Sequence, residues 1–254
     1  GSAADTFSFA NTFTLAGYVD GRGGNDTLNM SLYASSRNFG LTASGVTDGF
    51  NGTASGVTGG FFNINSIVGS AAATDTLTGL DVDSEWRIDG AVSGSYTTLN
   101  TLAFSGVENL TGGIGKDHFT FVGNGMVGGT LTGGLGVDLL DYTAYSVGVT
   151  AYLSTPTATG TNGVYGIENL TGSNFDDDLS GDVANNIITG GLGSNTINYN
   201  ASTVFVTVNL TTGIATRVLP LPIGTDTDTL IRIENIVGSP FDDFLTGNSG
   251  PNIL

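Results

Sequence analysis

The sequence predicts an all-β protein, a right-handed parallel β-solenoid of the β-roll or parallel β-helix type. Nine-residue units that open with Gly follow one another without interruption through residues 172–198. A longer repeat of about 60 residues contains such units along most of the chain. Apolar residues show no helical period of useful length. A short fixed period is typical of a solenoid, because each unit buries its apolar residue only by stacking on its neighbours.

Each unit combines a turn with one very short strand. The three consecutive units are residues 172–180, 181–189 and 190–198. Their sixth residue is Asp or Asn and their eighth is Leu or Ile, while Gly at the first position allows a tight turn with positive φ. The eighth residue is flanked by polar residues and should point inward from its strand. We therefore predict that Leu179, Ile188 and Ile197 line internal ladders, with neighbouring backbones roughly 4.8 Å apart.

Four other segments complete this architecture. Residues 3–18 alternate apolar and polar residues and are predicted to form the first turn or a cap. Residues 29–63 are rich in Gly, Ser, Thr and Asn, and single apolar residues between the glycines predict short solenoid strands. β-Branched and aromatic residues in 142–153 and 199–210 predict longer strands and wider coils.

A six-residue phrase precedes a nonapeptide-like unit at four places and marks the longer repeat. Its copies are residues 64–69, 107–112, 167–172 and 233–238. The second residue is Asn65 in the first copy and Glu108, Glu168 and Glu234 in the others. We interpret 1–2 as an expression scar and 3–254 as a single elongated domain. Its degenerate repeats lie near 21–78, 79–132, 133–189 and 190–254, and the incomplete last unit suggests a segment of a longer protein.

The chain is strongly acidic, and this excludes some function classes. Its 254 residues contain 23 Asp and Glu against 6 Lys and Arg, a net charge of -17. Nucleic acid is excluded as a partner because phosphate binding needs clustered cations. Divalent cations would relieve the self-repulsion of so acidic a chain. Cys is absent, which excludes disulfides and thiolate metal sites, and no apolar run is long enough for membrane insertion.

The units 133–141 and 112–120 read Gly-Gly-x-Gly-x-Asp-x-apolar-x, and units 21–29, 190–198 and 238–246 come close to it. This nonapeptide resembles the repeat of the RTX, or haemolysin-type calcium-binding, family. The resemblance implies Ca²⁺ held between stacked turns by Asp side chains and backbone carbonyls, with ligands from units about 18 residues apart. The implied ligand positions are Asp26, Asp117, Asp138, Asp177, Asp243, Gly112, Gly133, Gly172, Gly190 and Asn195. Hard cations want six to eight oxygens, and Gly-rich turns expose carbonyls without obstruction.

The turns also have a simpler interpretation. Asp and Asn side chains often hold turns by hydrogen bonds to the backbone, without any ion. The repeated Glu of the phrase could ligate a metal or bond locally, and the Asn after it could form an amide ladder.

Signals for an enzyme are poor. His118 and Lys116 are the single His and Lys of the chain, and His118 falls on a variable position of its unit. Residues 79–106 depart most from the repeat and hold an acidic cluster around the only Trp, Trp86. This cluster is an acidic surface loop, a local calcium loop, or the groove of a carbohydrate-active β-helix enzyme. Pro220 and Pro222 indicate a loop that bulges from the coil.

We expect a structural, non-enzymatic, calcium-binding module of a large secreted or cell-surface protein, such as an adhesin, an S-layer-like protein or an RTX exoprotein. The expected partners are neighbouring repeats of the same long chain and a cell-surface or glycan ligand. The alternatives are a carbohydrate-active β-helix enzyme or its accessory domain, and a ligand-binding adhesin segment.

Overall fold

The computed structural model describes residues 1–72, 74–220 and 224–254, which form 27 strands in three sheets. The fold class of the described residues is therefore all-β, as predicted. In this part of the chain no helix is long and apolar enough to cross a membrane.

The strands are short, and most have three residues. In chain order they are β1 (Thr6–Ser8), β2 (Val19–Asp20), β3 (Thr27–Asn29), β4 (Asn38–Ser44), β5 (Phe50–Ala54), β6 (Val57–Ile64), β7 (Ser66–Val68), β8 (Thr76–Thr78), β9 (Ser84–Gly90), β10 (Ser93–Thr97), β11 (Thr101–Ser105), β12 (Asn109–Thr111), β13 (Asp117–Gly123), β14 (Thr130–Thr132), β15 (Leu139–Tyr145), β16 (Thr150–Tyr152), β17 (Thr157–Ala158), β18 (Gly163–Tyr165), β19 (Asn169–Thr171), β20 (Asp178–Ser180), β21 (Ile187–Thr189), β22 (Thr196–Asn198), β23 (Thr207–Asn209), β24 (Ile214–Leu219), β25 (Gly224–Ile231), β26 (Asn235–Val237) and β27 (Phe244–Thr246).

Three sheets of 14, 8 and 5 strands contain them. The first sheet runs β1-β3-β7-β11-β10-β9-β13-β15-β19-β21-β25-β24-β23-β27. The second runs β18-β14-β12-β8-β4-β5-β6-β2, and the third runs β17-β16-β20-β22-β26. Most neighbours are parallel and are joined by turns rather than helices.

The nonapeptides alternate between two sheets. Strands β19 and β21 belong to the first sheet, whereas β20 and β22 belong to the third. Leu170 pairs with Ile188 and Leu179 pairs with Ile197, so the register advances by 18 residues, or two units, per layer. Because successive side chains of a strand point alternately inward and outward, the eighth residue of every unit faces the interior.

Continuous rows of apolar side chains form the core. In the first sheet the row is Leu102, Tyr96, Trp86, Phe119, Leu140, Leu170, Ile188 and Leu230. Leu179, Ile188 and Ile197 are all fully buried, as predicted, but in rows of two different sheets. Burying each such side chain stabilises the fold by about 2 kcal/mol, and stacking supplies the burial that a lone unit lacks.

Three antiparallel meanders interrupt the parallel layers. They are β4–β5–β6 in the second sheet, and β9–β10–β11 and β23–β24–β25 in the first. The prediction of short solenoid strands through 29–63 is therefore wrong, because this segment folds back on itself twice. The wider coils expected at 199–210 are also replaced by a meander. At 142–153 the chain forms β15 and then β16, which pairs antiparallel with β17.

Each meander begins and ends on a strand that continues the parallel stacking. In the first meander, for example, β4 is parallel to β8 and β6 is parallel to β2. Pro220 lies in a turn after β24, in agreement with the prediction of a loop. Pro222 lies outside the described residues.

Candidate functional site

The sixth residues of the nonapeptide units point into the fold rather than to solvent. Asp26, Asp117, Asp138, Asp177 and Asn195 are at most 3% exposed, and only Asp243, near the end of the chain, is half-buried. In unit after unit one oxygen of this side chain accepts a backbone N–H from the neighbouring layer. The bonds run from Asp5 N to Asp26 Oδ1 (2.8 Å), Asp117 N to Asp138 Oδ1 (2.8 Å), Val149 N to Asp177 Oδ1 (2.8 Å), Asp177 N to Asn195 Oδ1 (3.2 Å) and Val206 N to Asp243 Oδ1 (2.8 Å).

In three turns the second oxygen is satisfied by the turn itself. Asp117 Oδ2 accepts the N–H of Gly113 at 2.8 Å. The same bond joins Ser173 N to Asp177 Oδ2 (2.8 Å) and Ser239 N to Asp243 Oδ2 (2.7 Å). Burial raises the pKa of the Asp117 and Asp177 carboxyls. These turns therefore use both carboxylate oxygens as acceptors for N–H and O–H groups.

The turns of Asp26 and Asp138 are different. The Oδ2 atom of each is buried and finds no hydrogen-bond partner within the described residues. In the turn of Asp138, Gly134 and Gly136 have φ of 115° and 133°. This backbone conformation differs from that of the Asp117 and Asp177 turns, in which the second residue of the unit donates its N–H to the carboxylate. A Cβ on Gly133 would collide with both Asp138 Oδ2 and the carbonyl oxygen of Gly166. The free carboxylate oxygen thus lies beside a carbonyl oxygen, and burial raises the pKa of Asp138 to about 6.

The turn of Asn195 has the same backbone conformation as the turn of Asp138 but carries an amide in place of the carboxylate. Its φ angles are 98° at Gly191 and 99° at Gly193. Here the side chain presents an amide nitrogen, and Nδ2 donates to the carbonyls of Leu192 (3.3 Å) and Arg232 (3.2 Å). The amide of Asn195 therefore donates to neighbouring carbonyls, whereas Asp26 and Asp138 present a carboxylate oxygen to theirs.

Calcium ligation fits these turns unequally. Asp26 and Asp138 each offer one free carboxylate oxygen against backbone carbonyls, which is the donor chemistry that Ca²⁺ prefers. Asp117, Asp177 and Asp243 are less open to a cation, because N–H and O–H donors already reach both of their oxygens. No three Asp, Glu or His side chains in residues 1–72, 74–220 and 224–254 converge as a metal cluster.

The implied glycine ligands are packed against the same turns. A Cβ on Gly112 would collide with Asp117 Oδ2 and the carbonyl oxygen of Gly133. The same holds for Gly172, against Asp177 Oδ2 and the carbonyl oxygen of Gly190. The carbonyls of Gly133 and Gly190 thus face the turn of the preceding layer, and the opening Gly is needed for this close approach.

The hydrogen bonds from one layer to the next form series that we call hydrogen-bond ladders. The repeated Glu of the phrase is the last acceptor of each ladder, a role that the sequence analysis missed. Glu168 Oε2 accepts the N–H of Asp138, and Glu234 Oε2 accepts that of Asn195, both at 2.8 Å. Glu108 does the same for Asp75 at 2.9 Å, and Asn65 takes the equivalent place for Asp26 at 3.0 Å. The spacing between donor and acceptor varies from 30 to 39 residues because of the inserted strands. No fixed period could reveal it.

The Asn that follows this Glu bonds to the next layer. Asn109 Oδ1 accepts the N–H of Thr130 at 3.0 Å, and Asn169 Oδ1 accepts that of Ile187 at 3.1 Å. Its partner is thus a backbone amide, and not another Asn as an amide ladder would require.

Trp86 does not line a groove among the acidic residues of 79–106, as the enzyme hypothesis requires. Trp86 is fully buried, stacks on Phe119 with ring centroids 5.5 Å apart, and donates Nε1–H to Asp117 Oδ1 at 3.3 Å. Its neighbours Glu85 and Arg87 point outward from β9. The strict alternation along β9 places the indole in the core.

His118 lies between two carboxylates on the outer face of the first sheet. Its Nδ1 is 2.9 Å from Glu85 Oε2 and its Nε2 is 3.0 Å from Asp141 Oδ2. Adjacent parallel strands β9, β13 and β15 bring the three together. The hydrogen bond to Asp141 and the charges of both carboxylates raise the pKa of His118. The imidazole thereby bridges three adjacent strands.

A buried charged cluster lies in the last meander. Arg217 is 4% exposed and donates Nε–H to Asp226 Oδ2 at 2.6 Å. Asp228 is 3.7 Å from the same guanidinium and accepts a hydrogen bond from Tyr199 at 2.9 Å. Burial and the nearby Asp226 carboxylate raise the pKa of Asp228 to about 7. Two carboxylates thus share one cation.

No protein-family model matches the chain, and no curated protein is significantly similar to it.

Proposed function

We propose that this chain is a structural repeat module of a large secreted or cell-surface protein of the RTX type, such as an adhesin, an S-layer-like protein or an exoprotein. Its parallel layers would close into a right-handed solenoid whose ends continue into neighbouring repeats. The observation that carries the proposal is the ladder of Asp, Asn and Glu side chains that accept backbone N–H groups from one layer to the next. The polar side chains of the repeat are used to hold layers together.

Calcium would act at two of the turns in this module. Asp26 and Asp138 have the free carboxylate oxygens, and each of these lies beside a backbone carbonyl oxygen. A bound cation would sit between the carboxylate oxygen and the carbonyl, where the turn of Asn195 has an amide N–H instead. One occupied site at 100 times its dissociation constant adds about 2.7 kcal/mol of stability. Outside a cell, where calcium is plentiful, such sites would favour the folded state.

A thermal melt followed by circular dichroism tests this proposal. We expect the melting temperature to rise on going from excess EGTA to millimolar calcium, with magnesium giving a smaller rise. We also expect β-structure to be present in EGTA, because most turns carry their own hydrogen bonds. A melting temperature that ignores calcium would remove the ion from the proposal. Loss of all β-structure in EGTA would contradict the role given to the ladders.

A further inference from the structure

A cleft outside the turn ladders separates two of the meanders. It has a volume of about 1500 Å³. One wall is the end of β4, residues Leu41–Ser44, and the other is the tip between β10 and β11 around Leu99. The floor is the turn of residues 79–83, which leads from β8 to β9. Both walls exist because meander strands extend past the three-residue strands of the parallel layers.

The walls are tied to each other. Asn100, at the tip between β10 and β11, donates Nδ2–H to the carbonyl oxygen of Gly49, at the tip between β4 and β5, at 2.6 Å. The cleft is therefore formed before any ligand arrives, which lowers the entropy cost of binding.

One wall offers an unpaired strand edge. On the side facing β8, β4 is paired at Asn38, Phe39 and Gly40. Beyond Gly40 this side has no partner, since in the described part of the chain β4 pairs only with β5 and β8. Thr42 and Ala43 are exposed there. This free edge of four residues is about 13 Å long, and the register of β4 against β5 shifts within it, between Leu41 and Ala43. Its unpaired backbone is a template for an added strand.

The cleft is lined by three exposed carboxylates, by Lys116 and His118, and by apolar patches. Asp81, Asp83 and Glu85 are exposed on the floor, and of these Glu85 contacts His118. Leu99 is 90% exposed and Val82 is 49% exposed. The hydroxyl of Thr98 is buried in the wall without a partner among the described residues. An incoming chain would therefore meet exposed carboxylates and exposed apolar side chains.

We propose that this cleft binds an extended, positively charged peptide segment, which adds as a strand to the free edge of β4. Its Lys or Arg side chains would lie against Asp81, Asp83 and Glu85, and its apolar side chains against Leu99 and Val82. Backbone hydrogen bonds supply affinity in such strand addition, and the charges select the partner.

Fluorescence anisotropy with a labelled ten-residue peptide of alternating Lys and Thr tests the proposal. We expect the Lys peptide to bind at moderate salt and the matching Glu-Thr peptide not to bind. Asp81→Asn/Asp83→Asn should weaken binding tenfold or more. Asp176→Asn/Asp242→Asn makes the same change in net charge outside the cleft, and it should change the affinity less than twofold. Equal losses in the two double variants would mean attraction to the acidic chain as a whole and would overturn the proposal.

Hydrogen exchange of the unaltered protein tests the strand addition. The amides of residues 41–44 should exchange several-fold more slowly when the Lys-Thr peptide is bound. Spermine, a cation without a peptide backbone, should not slow them. Protection by spermine, or peptide protection confined to other segments, would overturn the assignment of β4 as the docking edge.

Discussion

At the scale of single residues, the same nonapeptide position serves two different turns. Asp177 accepts N–H groups on both oxygens, whereas Asp138 accepts on one and leaves the other beside a carbonyl. The residue type alone does not separate these roles, since both are Asp at the sixth position. The backbone separates them, through the positive φ of Gly134 and Gly136.

Two Asp→Asn variants should therefore have opposite effects. Asp138→Asn places an amide N–H against the carbonyl of Gly166, as Asn195 does against Arg232. We expect it to raise the stability of the calcium-free protein by about 1 kcal/mol. Asp177→Asn turns a donor toward the N–H of Ser173, and it should cost about 2 kcal/mol. Urea unfolding in EGTA measures both, and a loss of stability in Asp138→Asn would contradict this account of the two turns.

The buried Asp228 should make stability depend on pH. Its pKa of about 7 in the fold lies above the usual 3.8, so the folded state binds the proton more tightly than the unfolded chain. The protonated Asp228 therefore contributes to the free energy of unfolding at low pH, and this contribution is lost as pH rises from about 4 to 7. Asp228→Asn should remove this slope, a difference of at most about 4 kcal/mol between the ends of the range.

Urea unfolding of the parent and of Asp228→Asn at pH 4 to 8 gives the comparison. Asp176→Asn, in which an exposed carboxylate is removed, is the control for net charge. The parent and the Asp228→Asn curves running parallel across this range would refute the assignment.

At the scale of the element, a turn and its short strand are stable only through the next layer. Glu168 shows how far the partners are separated in sequence, because it accepts the N–H of Asp138 thirty residues earlier. Antiparallel meanders inserted in three places shift such distances. The Gly- and Thr-rich strands β4 to β6 look like linkers in sequence, since their apolar residues are few and their pairing is decided by β8 and β2.

Removal of the Glu168 side chain should destabilise one end of a ladder. Glu168→Ala leaves the buried N–H of Asp138 without an acceptor, and we expect a loss of about 1 to 3 kcal/mol. Glu168→Gln retains an oxygen in the same place and should lose less. The midpoint of urea unfolding measures both, and equal losses would show that the hydrogen bond contributes nothing.

At the scale of the whole molecule, the unit of architecture is the layer, which has 18 residues where nonapeptides follow without insertion, and not the nonapeptide of nine. Strand β19 lies in the first sheet, β20 in the third and β21 again in the first. An 18-residue step thus returns the chain to the same sheet, as the pairing of Leu170 with Ile188 requires. A nine-residue step would place each following strand in the wrong sheet.

Deletions of different length should reveal this unit. Removal of residues 172–189 joins Thr171 to Gly190, keeps β22 in the third sheet and lets β19 stack on β25. We expect a folded protein of lower stability. Its free energy of unfolding should also depend less steeply on urea concentration, because less surface is buried. Removal of 181–189 alone should abolish cooperative unfolding. Circular dichroism during urea titration follows both, and similar behaviour of the two deletions would contradict an 18-residue layer.

The sequence by itself determined the all-β class, the buried ladder positions and the turns that open with Gly, because these follow from a local period. It also singled out Asp26, Asp117, Asp138, Asp177, Asn195 and Asp243, as calcium ligands that the RTX resemblance implies, and the structure shows the same residues in hydrogen bonds between layers. Only the tertiary structure decided which oxygens remain free, which strands turn antiparallel and why Trp86 is in the core. These outcomes depend on backbone groups that come from a neighbouring layer tens of residues away, and hydrogen-bond partners at such variable distances leave no period in the sequence.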